Sequence, residues 1–237
     1  MSLGDHLREL RHRLIVSVIA VLIGALVAYF LYNHILSFLV RPYCDVLRSH
    51  HSTQKCALNT LDPLEQVTTR LKLTFFSGFA LALPIILWQL WRFITPGLHP
   101  REKRYAVPFV LSSMFFFAFG AFVALQTLPF ALRFFQSFSG SQINAIYAPG
   151  PYLRLVILMI LVYGLGFEFP VLLVALELVG VLKTRQLRKW RRYAIVGIVT
   201  TSAVFTPSSD PFSMFALAVP LYLFYEGAII VGRIFKK

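Results

Sequence analysis

Two carboxylates in basic surroundings, Glu9 and Glu102, are the first residues of this sequence whose chemistry is informative. Glu102 lies between two basic residues, Arg101 and Lys103, in a polar stretch that joins two apolar runs. A carboxylate favours arginine over lysine, because the planar guanidinium donates two parallel hydrogen bonds. The two acids either bind arginine side chains of a partner or form ordinary surface salt bridges, Glu9 with Arg13 and Glu102 with a neighbour. Spacing alone favours the salt bridges.

A third acid, Glu168, lies inside the apolar run YGLGFEFPVLL. A carboxylate at the centre of a membrane span costs several kcal/mol, about 2.5 to 3.5 on insertion scales, unless it faces protein, water or a partner. Glu168 therefore either contacts a partner helix or responds to protons, or it is a structural carboxylate held against a neighbouring hydroxyl. We favour a functional role, since ionisable groups inside membrane spans are usually functional.

The elements that position these acids are membrane helices. The 237 residues are 57% hydrophobic and 14% charged, with a mean hydropathy of +0.70, whereas soluble domains carry about 25% charged residues. We predict an all-α integral membrane protein with one domain over residues 1–237, both termini in the cytoplasm and a concave bundle. An amphipathic interfacial helix over residues 1–13 precedes the first span, and polar loops cover 41–62 and 180–192. The six predicted spans are 14–40, 63–91, 105–133, 152–178, 193–206 and 212–232.

The distribution of basic residues predicts the orientation. Most of the 23 Lys and Arg residues lie in the N-terminal segment, the loop between spans two and three, the loop between spans four and five, and the C-terminal tail. Cytoplasmic loops carry an excess of basic residues, so both termini are predicted to be cytoplasmic. The same bias explains the net charge of +13 better than nucleic-acid binding does.

The last hairpin is unusual because span five is short. As a helix, Tyr193 to Phe205 would reach only about 20 Å. A tight turn over residues 206–211 is expected to follow, with Asp210 capping span six. The alternative is that Thr206 to Ser209 continue the helix.

Other chemistry is weakly supported. Cys44 and Cys56 lie in one polar loop and form either a disulfide or two free thiols. No nucleotide-binding loop, metalloprotease motif or serine-hydrolase motif is present in the sequence, and the histidines have no plausible metal-ligand spacing. The sequence predicts a protein that is not an enzyme and holds no cofactor or metal.

Four motifs in order resemble the TatC family, the core subunit of the twin-arginine protein translocase. HLRELRHRL at 6–14 is similar to the family's amino-terminal motif, and QLWRFITPGLHPREKR at 89–104 to its first cytoplasmic loop. GFEFP at 166–170 is similar to the family's span-four motif, and FTPSSDPFSM at 205–214 to its turn between spans five and six. The resemblance covers nearly the whole chain.

The resemblance implies a receptor for twin-arginine signal peptides in the bacterial cytoplasmic membrane. It implies export of folded proteins driven by the proton-motive force, self-association, and single-span partners similar to TatA and TatB. Glu168 and Asp210 would contact those partners. Met214 stands where many relatives have Gln, so no side-chain amide is present there to hydrogen-bond a partner. Glu9 and Glu102 would contact the two arginines of the signal. The residues implied to shape the site around them are Arg11, Phe93, Pro96, Leu98, Lys103 and Arg104, and Lys103 stands where Arg is common.

A function from another class stays open at this point. A proton-coupled secondary transporter of small solutes would use Glu168 as a proton relay. It would transport a solute without single-span partners, which the receptor would not.

Overall fold

The computed structural model describes residues 3–49, 58, 60, 62–94, 106–138, 147–178, 180–208 and 210–235. These residues form helices and contain no strand, as predicted. Seven helices are present in this part of the chain: α1 Leu3–Phe30, α2 Tyr32–Ser49, α3 Pro63–Ile94, α4 Ala106–Phe138, α5 Pro149–Leu178, α6 Thr184–Phe205 and α7 Pro211–Phe235.

The prediction of one long first span over residues 14–40 is wrong. Helix α1 ends at Phe30, Leu31 forms a turn, and α2 begins at Tyr32 and continues to Ser49, through a segment predicted as a loop. The apolar part of α1, Leu7–Phe30, has 24 residues and is therefore about 36 Å long, enough to cross the hydrocarbon core of about 30 Å. The remaining apolar residues are therefore not needed to cross the membrane, and they form the start of a second helix, α2.

The amino-terminal segment is helical, as predicted, but it is not a separate helix. Residues 3–30 are one uninterrupted α-helix. The polar turns containing Glu9 therefore continue directly into the first apolar span, because no Pro or turn residue interrupts the helix there.

The basic segment before span five is also helical, which corrects the predicted loop over 180–192. Gly180 has a φ of +81°, a left-handed conformation that favours glycine just after a helix. Helix α6 then starts at Thr184, and the Oε1 atom of Gln186 accepts a hydrogen bond of 3.0 Å from the Lys183 N–H. Lys and Arg are good helix formers, so the basic residues extend α6 to 22 residues.

Helix α6 ends where the tight turn was predicted. Thr206 donates from its N–H to the Ser202 carbonyl at 3.0 Å and from its Oγ1 to the same oxygen at 2.5 Å. Pro207 follows, and a residue before proline is pushed towards extended backbone. Thr206 has this backbone, with φ −67° and ψ 113°, so the alternative that the helix continues from Thr206 to Ser209 is wrong.

Five helices of the described chain are long and apolar enough to cross a membrane. Four of them correspond to the predicted spans two, three, four and six, and the fifth is the apolar part of α1. Helix α6 is not among them, so the count of six spans stays a prediction. The five segments are Leu7–Phe30, Pro63–Phe93, Val107–Ser137, Pro149–Glu177 and Pro211–Ile234.

The chain divides into two compact units, one of residues Met1–Ile35 and Arg70–Phe115 and one of Leu36–Thr69 and Phe116–Lys237. The single domain over 1–237 stays a prediction.

In the first unit, α1 and α3 run antiparallel and meet at two glycines. A Cβ atom at Gly24 would lie 2.5 Å from the Gly78 carbonyl oxygen, and one at Gly78 would lie 2.4 Å from the Ala25 nitrogen. Backbones this close require glycine on both helices.

Gly24→Ala is expected to lower the free energy of unfolding by about 1 to 3 kcal/mol, because its methyl group would overlap backbone atoms. The measurement is the thermal unfolding temperature of the detergent-solubilised protein. Gly197→Ala is the matched control: nothing lies within 4 Å of a Cβ there, and alanine in a helix is favoured over glycine by about 0.8 to 1 kcal/mol. Equal unfolding temperatures for the two variants would contradict the close approach.

In the second unit, α5 and α7 run parallel. The Tyr163 hydroxyl donates to the Ser213 carbonyl at 2.6 Å near the start of α7, and further along both helices the Glu177 carboxylate lies against Gly232. Helix α6 returns antiparallel to α7, where the Tyr225 hydroxyl donates to the Leu187 carbonyl at 2.7 Å.

Helix α2 is held against the start of α5 by tyrosines of the second unit. The Tyr152 hydroxyl donates to the Leu39 carbonyl at 2.7 Å, and the ring of Tyr43 lies 5.6 Å from the rings of both Tyr147 and Tyr152. Burial raises the pKa of Tyr43 and of Tyr147 above the ordinary value of 10.0. Both phenols are therefore neutral at physiological pH.

Candidate functional site

The first predicted acid, Glu9, is held by Arg13 one turn further along α1. The Nε atom of Arg13 donates to Glu9 Oε1 at 3.2 Å, and its Nη2 atom forms a second, shorter bond to the same oxygen. The predicted Glu9–Arg13 salt bridge is therefore present. The Nη1 atom of Arg13 also donates to Gln89 Oε1 on α3 at 3.2 Å. One guanidinium thus connects Glu9 to α3.

The environment of this pair is partly buried. The side chains of Arg13 and Glu9 are 14% and 21% exposed, so water screens their charges less than it screens a surface pair. Both recorded contacts of Glu9 use Oε1. The Oε2 atom is an acceptor to which no hydrogen bond is recorded among the described residues.

Three helix ends meet around this pair in the first unit. Gln89 lies in the last turns of α3, and Trp91 stacks on Phe109 in the first turn of α4 with ring centroids 4.4 Å apart. The polar start of α1, the end of α3 and the start of α4 therefore lie at one end of this unit.

The predicted signal-peptide residues fall partly within the described chain. Glu9 and Phe93 are half-buried and Arg11 is exposed; Phe93 occupies the last turn of α3. The remaining residues of this predicted site lie outside the described residues: Pro96, Leu98, Glu102, Lys103 and Arg104.

Asp210 caps α7, as predicted. Its Oδ1 atom accepts a hydrogen bond of 2.7 Å from the Ser213 N–H, Pro211 occupies the first helical position, and the residue is only 2% exposed. Aspartate before proline is a favoured helix start, because the side chain satisfies a backbone N–H that the helix leaves unpaired. Met214 follows in the first turn and donates from its N–H to the Asp210 carbonyl at 3.1 Å.

Tyr163 connects this cap to α5. It is fully buried and bonds the Ser213 carbonyl, and Glu168 lies five residues, about 7.5 Å, further along the same helix. Glu168 is partly exposed, with its Oε1 atom buried. Three serines around the cap are also fully buried: Ser202, Ser208 and Ser213. Together with Asp210 and Tyr163 they form a polar cluster at the α6–α7 turn.

Sequence reasoning missed Gln89 and Tyr163 as positioning residues. Gln89 stands in the quoted loop motif without a role, and Tyr163 is a polar residue within an apolar run. Polar side chains inside an apolar span usually find a partner, and this was the available signal for Tyr163.

Two further expectations concern sulfur and metal chemistry. Cys44 lies in α2 and is disulfide-bonded, while Cys56 lies outside the described residues, so their pairing stays a prediction. Within the described residues, no group of three or more His, Cys, Asp or Glu side chains could hold a metal ion.

Comparison with known proteins decides the family. A family model described as "Sec-independent protein translocase protein (TatC)" matches residues 5–220. This chain belongs to the TatC family. The family prediction is confirmed, and so is the prediction that the chain is not an enzyme, since TatC proteins are translocase subunits.

Curated TatC relatives match along nearly the full chain. The TatC protein of Frankia casuarinae is 39% identical over 98% of this chain, which spans 65% of that relative's length. The TatC protein of Deinococcus radiodurans is 35% identical over 99% of this chain and 86% of its own length. That of Aquifex aeolicus is 36% identical over 99% and 95%.

Solved TatC structures share the fold. A crystal structure described as that of the twin-arginine translocase receptor TatC superposes with a TM-score of 0.76 at 36% identity, covering 97% of this chain and 98% of that one. A second, of the same receptor in the detergent DDM, gives 0.78 over 96% and 99%. This chain is therefore a multi-pass membrane protein of the TatC fold.

Proposed function

We propose that this TatC-family chain is the twin-arginine signal-peptide receptor and core subunit of a translocase that exports folded proteins, driven by the proton-motive force. The observation that carries the proposal is the position of Glu9. Its carboxylate is oriented by Arg13 at the end of the first unit where α3 ends and α4 begins, and its Oε2 atom accepts no hydrogen bond from the described residues.

An incoming arginine can use this arrangement in a way that lysine cannot. A guanidinium carries five N–H donors in a fixed plane, whereas an ammonium acts as a point charge. Because Arg13 already bonds Oε1, an incoming arginine donates mainly to Oε2 and keeps further N–H donors for other acceptors of the site, and these directional bonds favour arginine over lysine. Partial burial of the pair strengthens these bonds.

The second arginine of the signal is assigned to Glu102. This residue precedes Ala106, the first residue of α4, by four positions, and four residues of chain span at most about 14 Å. This short distance along the chain to α4, whose start lies at the same end of the first unit as Glu9, supports the assignment. We assign the shaping of the surrounding site to Arg11, Phe93, Pro96, Leu98, Lys103 and Arg104.

The second unit is assigned to accessory subunits. Glu168 is the intramembrane acid that contacts single-span partners similar to TatA and TatB. The α6–α7 turn with Asp210 and Met214 is the edge on which they dock. The short apolar part of α6, from Tyr193 to Phe205, supports this role, because a helix of about 20 Å leaves a locally thin hydrocarbon region beside it.

The membrane arrangement completes the proposal. The chain spans the bacterial cytoplasmic membrane six times, with α6 as the fifth span and both termini in the cytoplasm. It associates with further copies of itself and encloses a concave face that holds Glu168. The excess of basic residues near the termini, in the segment between α3 and α4 and in the first turns of α6 supports this orientation.

Photocrosslinking tests the receptor role. A twin-arginine signal peptide carrying a photoreactive side chain is irradiated with membranes that contain the full chain. Glu102→Gln is expected to reduce the crosslinked fraction about tenfold, because a charge-assisted hydrogen bond contributes about 1.5 to 3 kcal/mol.

The matched control is Glu65→Gln, at the other end of α3. Glu65 Oε1 accepts a hydrogen bond of 2.8 Å from the Gly150 N–H, and the glutamine oxygen can still accept it, so crosslinking should not change. A twin-lysine peptide should crosslink weakly to the unmodified chain. Equal crosslinking by the unmodified chain and Glu102→Gln would reject the receptor role of Glu102.

A further inference from the structure

A cavity of about 650 Å³ lies in the second unit, between the start of α6 and the end of α7. Among the described residues, six line the cavity, of which four are basic and none is acidic. The lining residues are Lys183, Thr184, Arg185, Arg188, Gly232 and Arg233. Such a concentration of positive charge around a concave site indicates an anionic ligand.

The positive charge of this cavity is poorly compensated within the described residues. On α6 and α7 an ion pair joins Arg191 to Glu226, with an N–O distance of 2.5 Å, and Glu226 also accepts from the Tyr222 hydroxyl at 3.2 Å. The Glu177 carboxylate lies behind Gly232 and is buried. One buried acid therefore stands against four cations, and ordinary surface ion pairing does not explain the cluster.

The start of α6 adds hydrogen-bond donors to the same cavity. N–H groups in the first turn of a helix that have no carbonyl partner attract phosphate oxygens. In α6 the N–H groups of Lys183 and Gln186 are already hydrogen-bonded, which leaves those of Thr184 and Arg185 as the donors. The hydroxyl oxygen of Thr184, which lines the cavity, is buried and has no hydrogen-bond partner among the described residues. Cations, hydroxyl and backbone donors together match the several acceptor oxygens of a phosphate group.

The position of the cavity along α6 favours a lipid over a soluble phosphate. Trp190 is exposed, and Tyr193 is 78% exposed; exposed aromatic residues on a membrane helix mark the boundary between hydrocarbon and headgroups. Arg188 lies five residues before Tyr193, about 7.5 Å along the axis, which is headgroup level. Ile230 is exposed and Ile234 is 67% exposed, on either side of Gly232 and Arg233, so apolar surface for acyl chains adjoins the cationic site.

We propose that this cavity binds the phosphate headgroup of an anionic membrane lipid. The lipid's phosphate lies among the basic side chains at the start of α6, and its acyl chains cover the exposed isoleucines at the end of α7. This site is separate from the proposed signal-peptide site, which lies in the first unit.

The test is lipid retention by the full chain. The protein is transferred into micelles that contain equal amounts of phosphatidylglycerol and phosphatidylcholine, and bound lipids are counted by native mass spectrometry. The unmodified chain should retain phosphatidylglycerol several-fold more than phosphatidylcholine. Arg188→Gln with Arg233→Gln should abolish this preference, so that the two lipids are retained about equally, because two of the four cations around the phosphate are removed.

The matched control is Lys189→Gln with Arg192→Gln, which removes the same charge from exposed positions of α6 that do not line the cavity. This control should keep the preference.

Equal loss in both double variants, or no loss in either, would overturn the proposal. Displacement of phosphatidylglycerol by millimolar inorganic phosphate, without a matching effect of chloride at equal ionic strength, would show a soluble phosphate site and would also overturn the lipid assignment. Circular dichroism and size-exclusion chromatography of each variant confirm that a lost preference does not reflect unfolding.

Discussion

Export of a twin-arginine cargo protein is expected to fall about 100-fold or more when Glu9 and Glu102 are both changed to Gln. Each acid is assigned one arginine of the signal, and a hydrogen bond to a charged group contributes about 1.5 to 3 kcal/mol. Losing two such contacts weakens binding by about 3 to 6 kcal/mol, which corresponds to more than two factors of ten. The measurement is the fraction of folded cargo that reaches the outside of cells that contain the complete translocase.

Asp62→Asn with Glu65→Gln is the matched control for this export experiment, because it also removes two negative charges. Asp62 accepts from the Leu64 N–H at 2.9 Å, and Glu65 accepts from the Gly150 N–H. The amide oxygens of the replacements can accept the same bonds, so export should stay near that of the unmodified chain. Membrane levels of each variant are compared by immunoblot. Normal export by the Glu9 and Glu102 double variant would remove the basis of the receptor proposal.

Asp210→Ala is expected to destabilise the second unit by about 1 to 3 kcal/mol. The substitution removes the capping bond to the Ser213 N–H, which is worth about 1 to 2 kcal/mol at an ordinary helix start, and the upper end applies here because the donor left without an acceptor is buried. Thermal unfolding of the purified protein measures the loss. Crosslinking of TatA-like partners to the α6–α7 turn should fall in parallel if this turn is their docking edge.

Asp210→Asn distinguishes capping from charge. Asparagine caps helices about as well as aspartate, so this variant should unfold close to the temperature of the unmodified protein. If partner crosslinking falls in Asp210→Asn while stability is unchanged, the negative charge itself contacts the partner. Equal destabilisation by both substitutions would show that the cap is not what stabilises the start of α7.

Much of the fold follows from the apolar runs. Helices α3, α4, α5 and α7 contain nearly all of the predicted spans two, three, four and six, because long stretches without charge exist only where lipid or protein covers them. The break at Leu31 was missed because a charge-free run does not show where a helix ends. The start of α6 was missed because consecutive basic residues suggest a loop at a membrane surface, although Lys and Arg favour helices.

The site was predictable only where its contacts are local. Glu9 and Arg13 are four residues apart, and Asp210 directly precedes a helix-starting proline, so sequence spacing indicates both contacts. The bond from Arg13 to Gln89 joins residues 76 positions apart, and that from Tyr163 to Ser213 joins residues 50 apart. Such contacts depend on how helices cross, and spacing along one chain does not contain that information.

The continuity of α1 has a mechanical consequence for cargo recognition. The helix is unbroken from Glu9 to Gly24, where it lies against Gly78 of α3, and these fifteen residues form a rigid segment of about 22 Å. Because this part of α1 contains no hinge, a lateral displacement of Glu9 by about 1 Å tilts the whole helix by roughly 2 to 3 degrees about the glycine contact. A cargo that engages this carboxylate at the membrane surface therefore acts on a pivot deep within the bilayer.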